Sequence, residues 1–249
     1  MADPIHQFEI KELAFFELAG VNLSFTNSAL WMLIAVATSF LFLATAIREK
    51  SMVPNRLQAF AEVLYEFVAG MVRENVGPEG RKYFPFVFTV FMVVLMGNLL
   101  GMIPYSFTYT SHIAVTGILA VAIFLTVTVF GLFRHGTHFF SLFSPPGVPL
   151  VLKILVIPVE VLSFVIRPVT LSVRLCANMI AGHMVLKVFA GFCVSMFAAF
   201  GAAGLFLGIV PMAFNVLLIG FEIVIAILQA YVFTVLTCIY LKDSVELHH

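Results

Sequence analysis

Polar side chains recur at seven-residue intervals in two long apolar stretches of this sequence. They are Lys153, Glu160, Arg167 and Arg174 in the first stretch, and Asn215, Glu222 and Gln229 in the second. Residues seven apart on an α-helix point in nearly the same direction, with a drift of only ~20°, so each set forms one stripe. Ionisable groups in such stripes indicate chemistry that moves charge, because an isolated charge is costly among apolar side chains.

Arg174 lies within the segment LSVRLCANMIAGH and has no carboxylate three or four residues to either side. Its guanidinium keeps its proton at any accessible pH, so a compensating acid must come from outside its own helix. Arg174 either pairs with Glu222 or extends to a membrane interface, or else it faces a carboxylate that titrates during turnover. We favour the titrating partner, because ionisable groups inside membranes are functional by default.

His183 and Glu222 form a second set of candidate residues. Histidine titrates near neutral pH, and a carboxyl group removed from water can titrate in the same range. Antiparallel packing of the two stretches would bring these side chains together. Such a pair can pass protons, or it can serve only as a satisfied structural pair. Asn178, one turn after Arg174, is placed to hydrogen-bond between the two sites.

The composition is that of a membrane protein. Of the 249 residues, 62% are hydrophobic, 10% are charged and 28 are Phe. Soluble domains average about 25% charged residues, and a soluble fold of this composition would present too little polar surface to water. A soluble globular enzyme is therefore not expected. The formal net charge is zero, so no nucleic-acid partner is expected either.

Motifs of nucleotide, hydrolytic and metal sites are missing from the sequence. It contains no GxxxxGK[ST] loop, no GxSxG elbow and no HExxH pair. It therefore predicts no cofactor, no metal site and no catalysis by this chain on its own. The three cysteines, Cys176, Cys193 and Cys238, lie in apolar stretches without CxxC spacing and are expected to be buried thiols.

Five apolar segments are long enough to cross a membrane, which takes about 20 such residues. They cover residues 28–47, 83–103, 112–133, 151–190 and 197–241. The second and third form a hairpin with a short turn near Tyr105–Ser111. The fourth and fifth greatly exceed a hydrocarbon core of about 30 Å. We expect the fourth to break at Pro158 and Pro168 or to tilt steeply, with a turn to the fifth at 192–196.

Residues 54–75 repeat apolar side chains at three- and four-residue steps. This pattern predicts an amphipathic helix on the membrane surface, with a solvent-facing helix of an ordinary loop as the alternative.

Basic residues are concentrated on one side of the five predicted spans. Lys11 stands alone on the other side, beside acidic residues. The positive-inside rule therefore places the N-terminal segment 1–27 outside and the C-terminus in the cytoplasm. The basic side carries Arg48, Lys50, Arg56, Arg73, Arg81, Lys82, Arg134 and Lys242.

The sequence resembles subunit a of the F-type ATP synthases in three segments. These are PVTLSVRLCANMIAGH from Pro168, NLLGMIP at Asn98–Pro104, and the final helix with Glu222 and Gln229. The arginine motif is specific, and the resemblance covers nearly the whole chain in the same order. It implies an all-α integral membrane protein with five transmembrane helices and one amphipathic surface helix. The last two helices, overlong and strongly tilted, would form a hairpin against a ring of c subunits.

The resemblance also implies roles for individual residues. Arg174 matches the family's essential arginine, which faces the proton-carrying carboxylate of the ring. The half-channel open to the outside, with the vicinity of the arginine, would comprise Asn98, Asn178, His183, Glu222 and Gln229. The cytoplasmic half-channel would comprise Glu160, Ser163 and Thr170.

The sequence departs from many bacterial members at one pair of positions. Those members carry Glu where this chain has His183, and His where it has Glu222. The exchange keeps one acid and one imidazole in the same place, an arrangement that resembles mitochondrial and alphaproteobacterial members, so we expect the proton relay to survive. It leaves open which of the two receives the proton first.

The implied function is that of a stator subunit with two offset proton half-channels, which couple proton flow to c-ring rotation and ATP synthesis. Its partners would be the oligomeric c-ring, b-type peripheral stalk subunits, the remaining ATP synthase subunits and the lipid of a bacterial inner membrane rather than a mitochondrial one. The alternative is a stand-alone proton-coupled secondary transporter. That alternative predicts inverted internal repeats, and the first half of the sequence contains no match to the arginine segment.

Overall fold

The computed structural model describes residues 9–15, 17–18, 21–22, 24–48, 53–103, 106–136, 139 and 149–245. Lys50, Pro104 and Tyr105, on which parts of the sequence interpretation rest, lie outside these residues. Within the described chain, five helices are long and apolar enough to cross a membrane. With a sixth, amphipathic helix they make an all-α membrane protein, as the sequence predicts.

The segment before the first helix contains two pairs of very short antiparallel strands, which the sequence did not predict. β1 (Glu12–Ala14) pairs with β4 (Phe25–Thr26), and β2 (Glu17–Leu18) pairs with β3 (Val21–Asn22). The first helix, α1 (Asn27–Arg48), follows directly. Asn27 joins the two parts, because its backbone N–H donates to the carbonyl oxygen of Lys11 at 3.0 Å.

The amphipathic helix α2 spans Arg56–Val76, against the predicted 54–75. It begins after Asn55, whose side-chain oxygen accepts a hydrogen bond from the backbone N–H of Arg56 at 2.7 Å. It ends at Gly77, where φ is 80°, a left-handed value that glycine adopts readily. The side chains that α2 buries follow three- and four-residue steps and are Val68, Met71, Val72 and Val76.

The predicted central hairpin consists of α3 (Phe84–Gly101) and α4 (Ile113–His135). A 3-10 helix, Pro78–Tyr83, leads into α3, and a second, Tyr109–Ser111, precedes α4. Residues 106–112 are called the α3–α4 turn below. Its first hydroxyl groups close the end of α3, because Ser106 and Thr108 both donate to the carbonyl oxygen of Gly101, at 3.0 and 2.9 Å.

The last two helices are much longer than a membrane is thick. α5 (Leu150–Phe200) has 51 residues and α6 (Ala202–Val245) has 44, or about 75 and 65 Å at 1.5 Å per residue. α5 runs without a break through Pro158 and Pro168. Of the two sequence expectations, the break is therefore wrong. Proline removes one backbone hydrogen bond, and membrane helices tolerate that loss where neighbouring groups satisfy the freed carbonyl.

The turn between α5 and α6 lies at Gly201, not at 192–196 as the sequence interpretation placed it. φ at Gly201 is 55°, and its backbone N–H donates to the carbonyl oxygen of Phe197 at 3.0 Å. Gly204 permits the tight reversal, because a Cβ there would lie 2.1 Å from the carbonyl oxygen of Met196. The predicted boundaries at 190 and 197 consequently move to Phe200 and Ala202. In a long apolar helix, the sequence marks the end only at a residue that readily adopts a left-handed backbone conformation, such as glycine.

The core lies where α2, α3, α4 and α6 meet the middle of α5. Its largest fully buried side chains include Phe91, Leu175, Phe233 and Leu241. The outward faces of α5 and α6 expose long rows of Val, Ile, Leu and Phe. Apolar surface on this scale suits lipid or another subunit rather than water.

Candidate functional site

His183 on α5 and Glu222 on α6 face each other across the helical hairpin. Nδ1 of His183 lies 3.8 Å from Oε1 of Glu222, and the two side chains are only 8% and 5% exposed. The structure thus brings together the two residues that antiparallel packing was expected to join. Within the described chain, neither carboxylate oxygen of Glu222 has a hydrogen-bond partner. The carboxyl group therefore retains its capacity to bind a proton donor or water.

Glycine at position 182 makes this close approach possible. A Cβ on Gly182 would lie 2.6 Å from Oε1 and 2.9 Å from the carboxyl carbon of Glu222. Both distances are shorter than van der Waals contact. The residue next to His183 therefore has to lack a side chain for the carboxyl group of α6 to reach the imidazole.

Thr108 of the α3–α4 turn contacts the other ring nitrogen of His183. Its Oγ1 lies 3.0 Å from Nε2, and the Thr108 residue is 1% exposed. The turn is also fastened to α5 by Cys176, whose thiol donates to the carbonyl oxygen of Ser111 at 2.8 Å. Sequence reasoning predicted a short turn here but assigned no residue in it. The available signal was the hydroxyl-rich run SFTYTS in an otherwise apolar region.

Asn98 joins α3 to the same part of α6. Its side chain is fully buried, and Nδ2 donates to the carbonyl oxygen of Ala226 at 3.3 Å. Ala226 lies one turn after Glu222 on α6, which places Asn98 close to the level of the His183–Glu222 pair. Oδ1 of Asn98 is buried and has no hydrogen-bond partner in the described part of the chain. An orphaned buried acceptor is costly, and an ordered water molecule would satisfy it.

A second contact between the long helices lies at their opposite end. Arg167 on α5 and Asp243 on α6 form an ion pair at 2.8 Å, with side chains 30% and 31% exposed. The guanidinium carbon of Arg167 also lies 5.6 Å from the centre of the Tyr240 ring. Arg167, one member of the polar stripe on α5, therefore binds α6. Sequence reasoning did not find Asp243, because nothing local in the sequence links it to Arg167.

The two contacts fix how α5 and α6 run past each other. Towards the Arg167–Asp243 ion pair, Gln229 lies about 10 Å from Glu222 along α6, at 1.5 Å per residue. In the same direction, Arg174 lies about 14 Å from His183 along α5. Gln229 and Arg174 are thus at nearly the same level of the hairpin. Gln229 is buried, and Asn178 is half-buried between Arg174 and His183.

Arg174 lies on the exposed face of α5. Among the described residues, no carboxylate oxygen lies within 4.0 Å of its guanidinium. Glu222 contacts His183 instead, so the hypothesis that Arg174 pairs with Glu222 is wrong for this structure. The neighbouring Val169 and Val173 are 55% and 45% exposed. A permanent cation on such an apolar surface needs a compensating anion or a polar environment.

Glu160, Ser163 and Thr170 lie on the same stripe as Arg174, on the side of the Arg167 ion pair. Glu160 is half-buried, and the other two are exposed. The hydroxyl of Thr170 donates to the carbonyl oxygen of Arg167 at 2.9 Å. Thr170 is about 20 Å along α5 from His183, at 1.5 Å per residue. The structure therefore separates the candidate residues into two polar regions at different levels, and Arg174 lies between them.

Comparison with known proteins identifies the family. The family model described as ATP synthase A chain matches residues 29–242, a range that contains all nine candidate residues. A relative in Rhodospirillum rubrum, named ATP synthase subunit a, is 52% identical over 248 residues and 100% of both chains. Relatives with the same name occur in Mesorhizobium japonicum (55% identity, covering 99% of this chain and 98% of the relative) and Paramagnetospirillum magneticum (50%, covering 100% of both). The chain therefore belongs to the ATP synthase A chain family.

Proposed function

We propose that this chain forms two offset proton half-channels beside a rotating c-ring and supplies the arginine that separates them. It acts as a stator and is not catalytic on its own, because its sequence carries no phosphate-binding loop. The observation that carries the proposal is the position of Arg174. This residue is exposed on α5, has no carboxylate partner among the described residues, and lies between two polar regions at different levels.

The first half-channel admits protons from outside the cell to the level of Arg174. It comprises Asn98, Asn178, His183, Glu222 and Gln229. Buried oxygens of Asn98 and Glu222 that lack partners in the described chain support it, because such groups hold water inside membranes. The 3.8 Å between His183 and Glu222 is closed by a small side-chain movement or by one bridging water.

Arg174 acts on the carboxyl group that each c subunit carries. That group crosses lipid only when it is protonated, because the ionised form is too costly there. Beside the permanently charged guanidinium the ionised form is favoured, so the proton leaves at this position. The fixed cation also blocks direct passage of a proton between the half-channels. Each proton that crosses at 100 mV supplies about 2.3 kcal/mol towards rotation.

The second half-channel releases protons to the cytoplasm past Thr170, Ser163 and Glu160. Their shared stripe with Arg174 and the exposure of Ser163 and Thr170 on α5 support this assignment. Glu160 is the only ionisable member of this set, so it provides the last proton-accepting group before the aqueous phase.

The c-ring docks on the face of α5 that carries Arg174. Small residues recur beside the arginine on this face and are Ser163, Thr170, Ala177 and Ala181, all exposed. Small side chains let membrane helices approach closely, which an ion pair between Arg174 and a ring carboxylate requires. The b-type stalk subunits, the remaining subunits and lipid cover the other apolar faces, such as the one on α1 with Leu33 and Phe40.

The N-terminal segment lies outside and the C-terminus in the cytoplasm of a bacterial inner membrane. The basic residues around the start of α3 support this orientation. An ion pair between Arg134 at the end of α4 and Glu79 in the 3-10 helix before α3 gathers Arg81, Lys82 and Arg134 on one side of the hairpin.

Substitution of Arg174 tests the proposed function. In inverted membrane vesicles that contain the whole complex, Arg174→Ala abolishes ATP-driven proton pumping and leaves ATP hydrolysis by the soluble sector. The matched control is Arg73→Ala, which removes an exposed arginine of α2 and should leave pumping unchanged. Pumping retained by Arg174→Ala overturns the proposal.

A further inference from the structure

Thr108 makes two hydrogen bonds with a single hydroxyl proton. Its Oγ1 lies 2.9 Å from the carbonyl oxygen of Gly101 and 3.0 Å from Nε2 of His183. A carbonyl oxygen can only accept, whereas an imidazole nitrogen either donates or accepts, depending on where the ring carries its proton. The two distances together therefore restrict the state of the histidine.

The arrangement that satisfies both contacts has the Thr108 hydroxyl donating to Gly101 and Nε2–H of His183 donating to Thr108. The reverse direction would send the hydroxyl proton to Nε2. It would leave the lone pairs of Oγ1 and the Gly101 carbonyl facing each other at 2.9 Å, which is unfavourable in a site where Thr108 is 1% exposed. The hydrogen bond of one ring nitrogen sets the role of the other. The neutral ring therefore carries its proton on Nε2, and its Nδ1 is unprotonated.

We infer that Thr108 is a positioning residue for the proton relay: it holds His183 in the Nε2–H tautomer, so that the ring exchanges protons through Nδ1, the nitrogen facing Glu222. The inference rests on the proposed function and deepens it. Nδ1 takes up one proton from water in the half-channel, which gives an imidazolium whose Nε2–H is unchanged, and it then passes that proton to the carboxylate of Glu222, which restores the neutral ring; the reverse sequence carries a proton the other way. The Thr108 branch ends at the Gly101 carbonyl, which cannot pass a proton on.

The surroundings of Thr108 hold the hydroxyl in place. The hydroxyl of Ser111 donates to the carbonyl oxygen of Thr108 at 2.6 Å, and Cys176 on α5 bonds the carbonyl oxygen of Ser111 at 2.8 Å. Gly101 packs against the threonine side chain, because a Cβ on this glycine would lie 2.6 Å from Cγ2 of Thr108. The α3–α4 turn is thus anchored at both ends, to α3 and to α5.

Charged groups on two helices act on the His183 ring. Glu222 faces it from α6 at 3.8 Å, and Lys187 acts on it electrostatically from one turn further along α5 itself. The α3–α4 turn contributes the uncharged hydroxyl of Thr108. Glu222 and Lys187 therefore both influence proton exchange at Nδ1, while Thr108 determines which nitrogen takes part.

The tautomer can be read directly by nitrogen NMR, because protonated and unprotonated ring nitrogens resonate at distinct positions. The complete ATP synthase complex is prepared in membranes with ¹⁵N-labelled histidine, and the difference from a His183→Gln sample assigns the ring. We expect the neutral ring to show Nε2–H with a bare Nδ1 in the unmodified protein. A neutral ring with its proton on Nδ1 overturns the inference, and this result needs no Thr108 variant.

Two variants of Thr108 distinguish the effect of its hydroxyl group from the effect of its packing. Thr108→Ser keeps the hydroxyl, the tautomer and at least about half of the ATP-driven pumping. Thr108→Val keeps the shape but lets the ring populate Nδ1–H, and pumping falls about tenfold, less than the ~10²–10⁴-fold that a proton-transfer group itself contributes, because the imidazole is still present. Unchanged pumping and tautomer in Thr108→Val, or equal losses in both variants, overturn the inference.

Thr116→Val is the matched control, because it also removes a buried hydroxyl group that links two helices. Thr116 is also fully buried, and its hydroxyl bridges α4 to Ser172 on α5 at 3.1 Å. Its contact with a histidine is to the backbone carbonyl oxygen of His112 at 3.3 Å and not to an imidazole ring. We expect this variant to keep the Nε2–H tautomer and pumping within about twofold, since its hydroxyl bond contributes only about 1 kcal/mol of stability.

If pumping depends on Arg174, His183 and Glu222 but Thr108→Val behaves like the unmodified protein, only this inference fails. If Arg174→Ala still pumps, the proposed function itself fails.

Discussion

Nδ1 of His183 and Oε1 of Glu222 lie 3.8 Å apart, on opposite arms of the hairpin that turns at Gly201. Both side chains are buried, and a small side-chain movement or one bridging water would let this acid and imidazole share a proton. The contact depends on the antiparallel register of α5 and α6, which also aligns Arg167 with Asp243. The same register brings Gln229 to the level of Arg174.

Exchanging the acid and the imidazole tests whether these two residues act as a pair. The double variant His183→Glu with Glu222→His should pump more than either single variant, because residues in contact are energetically coupled. The recovery should be partial, since the swap moves the imidazole away from Thr108. ATP-driven proton pumping by inverted vesicles measures the effect. A double variant no better than the weaker single variant would show that the residues are independent.

Adding a methyl group at Gly182 should displace the Glu222 carboxyl group. In Gly182→Ala the new Cβ would lie 2.6 Å from Oε1, and the flexible side chain of Glu222 moves away from His183. Misplacement of a reacting group by about 1 Å can cost ~10²-fold in rate, so pumping should fall while the complex still assembles.

The control for that substitution is Gly191→Ala on the same helix. A Cβ at Gly191 meets nothing within 4 Å, and alanine favours a helix by about 1 kcal/mol relative to glycine. We expect normal pumping from this variant. Equal pumping by the Gly182 and Gly191 variants would contradict the importance of the close approach.

The ion pair between Arg167 and Asp243 should stabilise the hairpin without taking part in proton transfer. Its side chains are 30% and 31% exposed, so a contribution of at most about 1 kcal/mol is expected. Arg167→Ala or Asp243→Ala should lower the temperature at which pumping is irreversibly lost, with pumping at lower temperature maintained. The charge reversal Arg167→Asp with Asp243→Arg should recover much of the thermal resistance. No recovery would assign the residues another role.

Lysine should not replace Arg174, although it carries the same charge. A desolvated lysine can lose its proton, whereas arginine keeps it, so the barrier between the half-channels would become titratable. We expect Arg174→Lys to lose ATP synthesis driven by respiration. Near-normal growth on a respiratory substrate would argue against a permanently charged barrier.

Much of the fold could be predicted because it follows from apolar length and periodicity. The first four helices begin and end within a few residues of the predicted limits, since charges and prolines mark their ends. The turn at Gly201 was placed too early, because the 192–196 region is as apolar as its surroundings. The short strands before α1 escaped prediction, because two-residue pairings leave no periodic pattern.

The site residues also differ in whether their positions follow from local sequence patterns or from contacts between distant parts of the chain. The seven-residue stripe of α5 could be predicted from the sequence, and antiparallel packing was enough to suggest the His183–Glu222 contact. Thr108 and Asp243 could not be found, because their contacts depend on how a turn and a helix end pack against distant parts of α5. Such contacts are fixed by tertiary packing rather than by spacing along one helix.

A high-resolution structure of the complete complex in a membrane would show the partner of Arg174. We expect the guanidinium of Arg174 to face a carboxyl group of a neighbouring ring subunit and to contact no carboxylate of its own chain. An Arg174 that is ion-paired permanently within its own chain, or that lies among lipid headgroups, would contradict it.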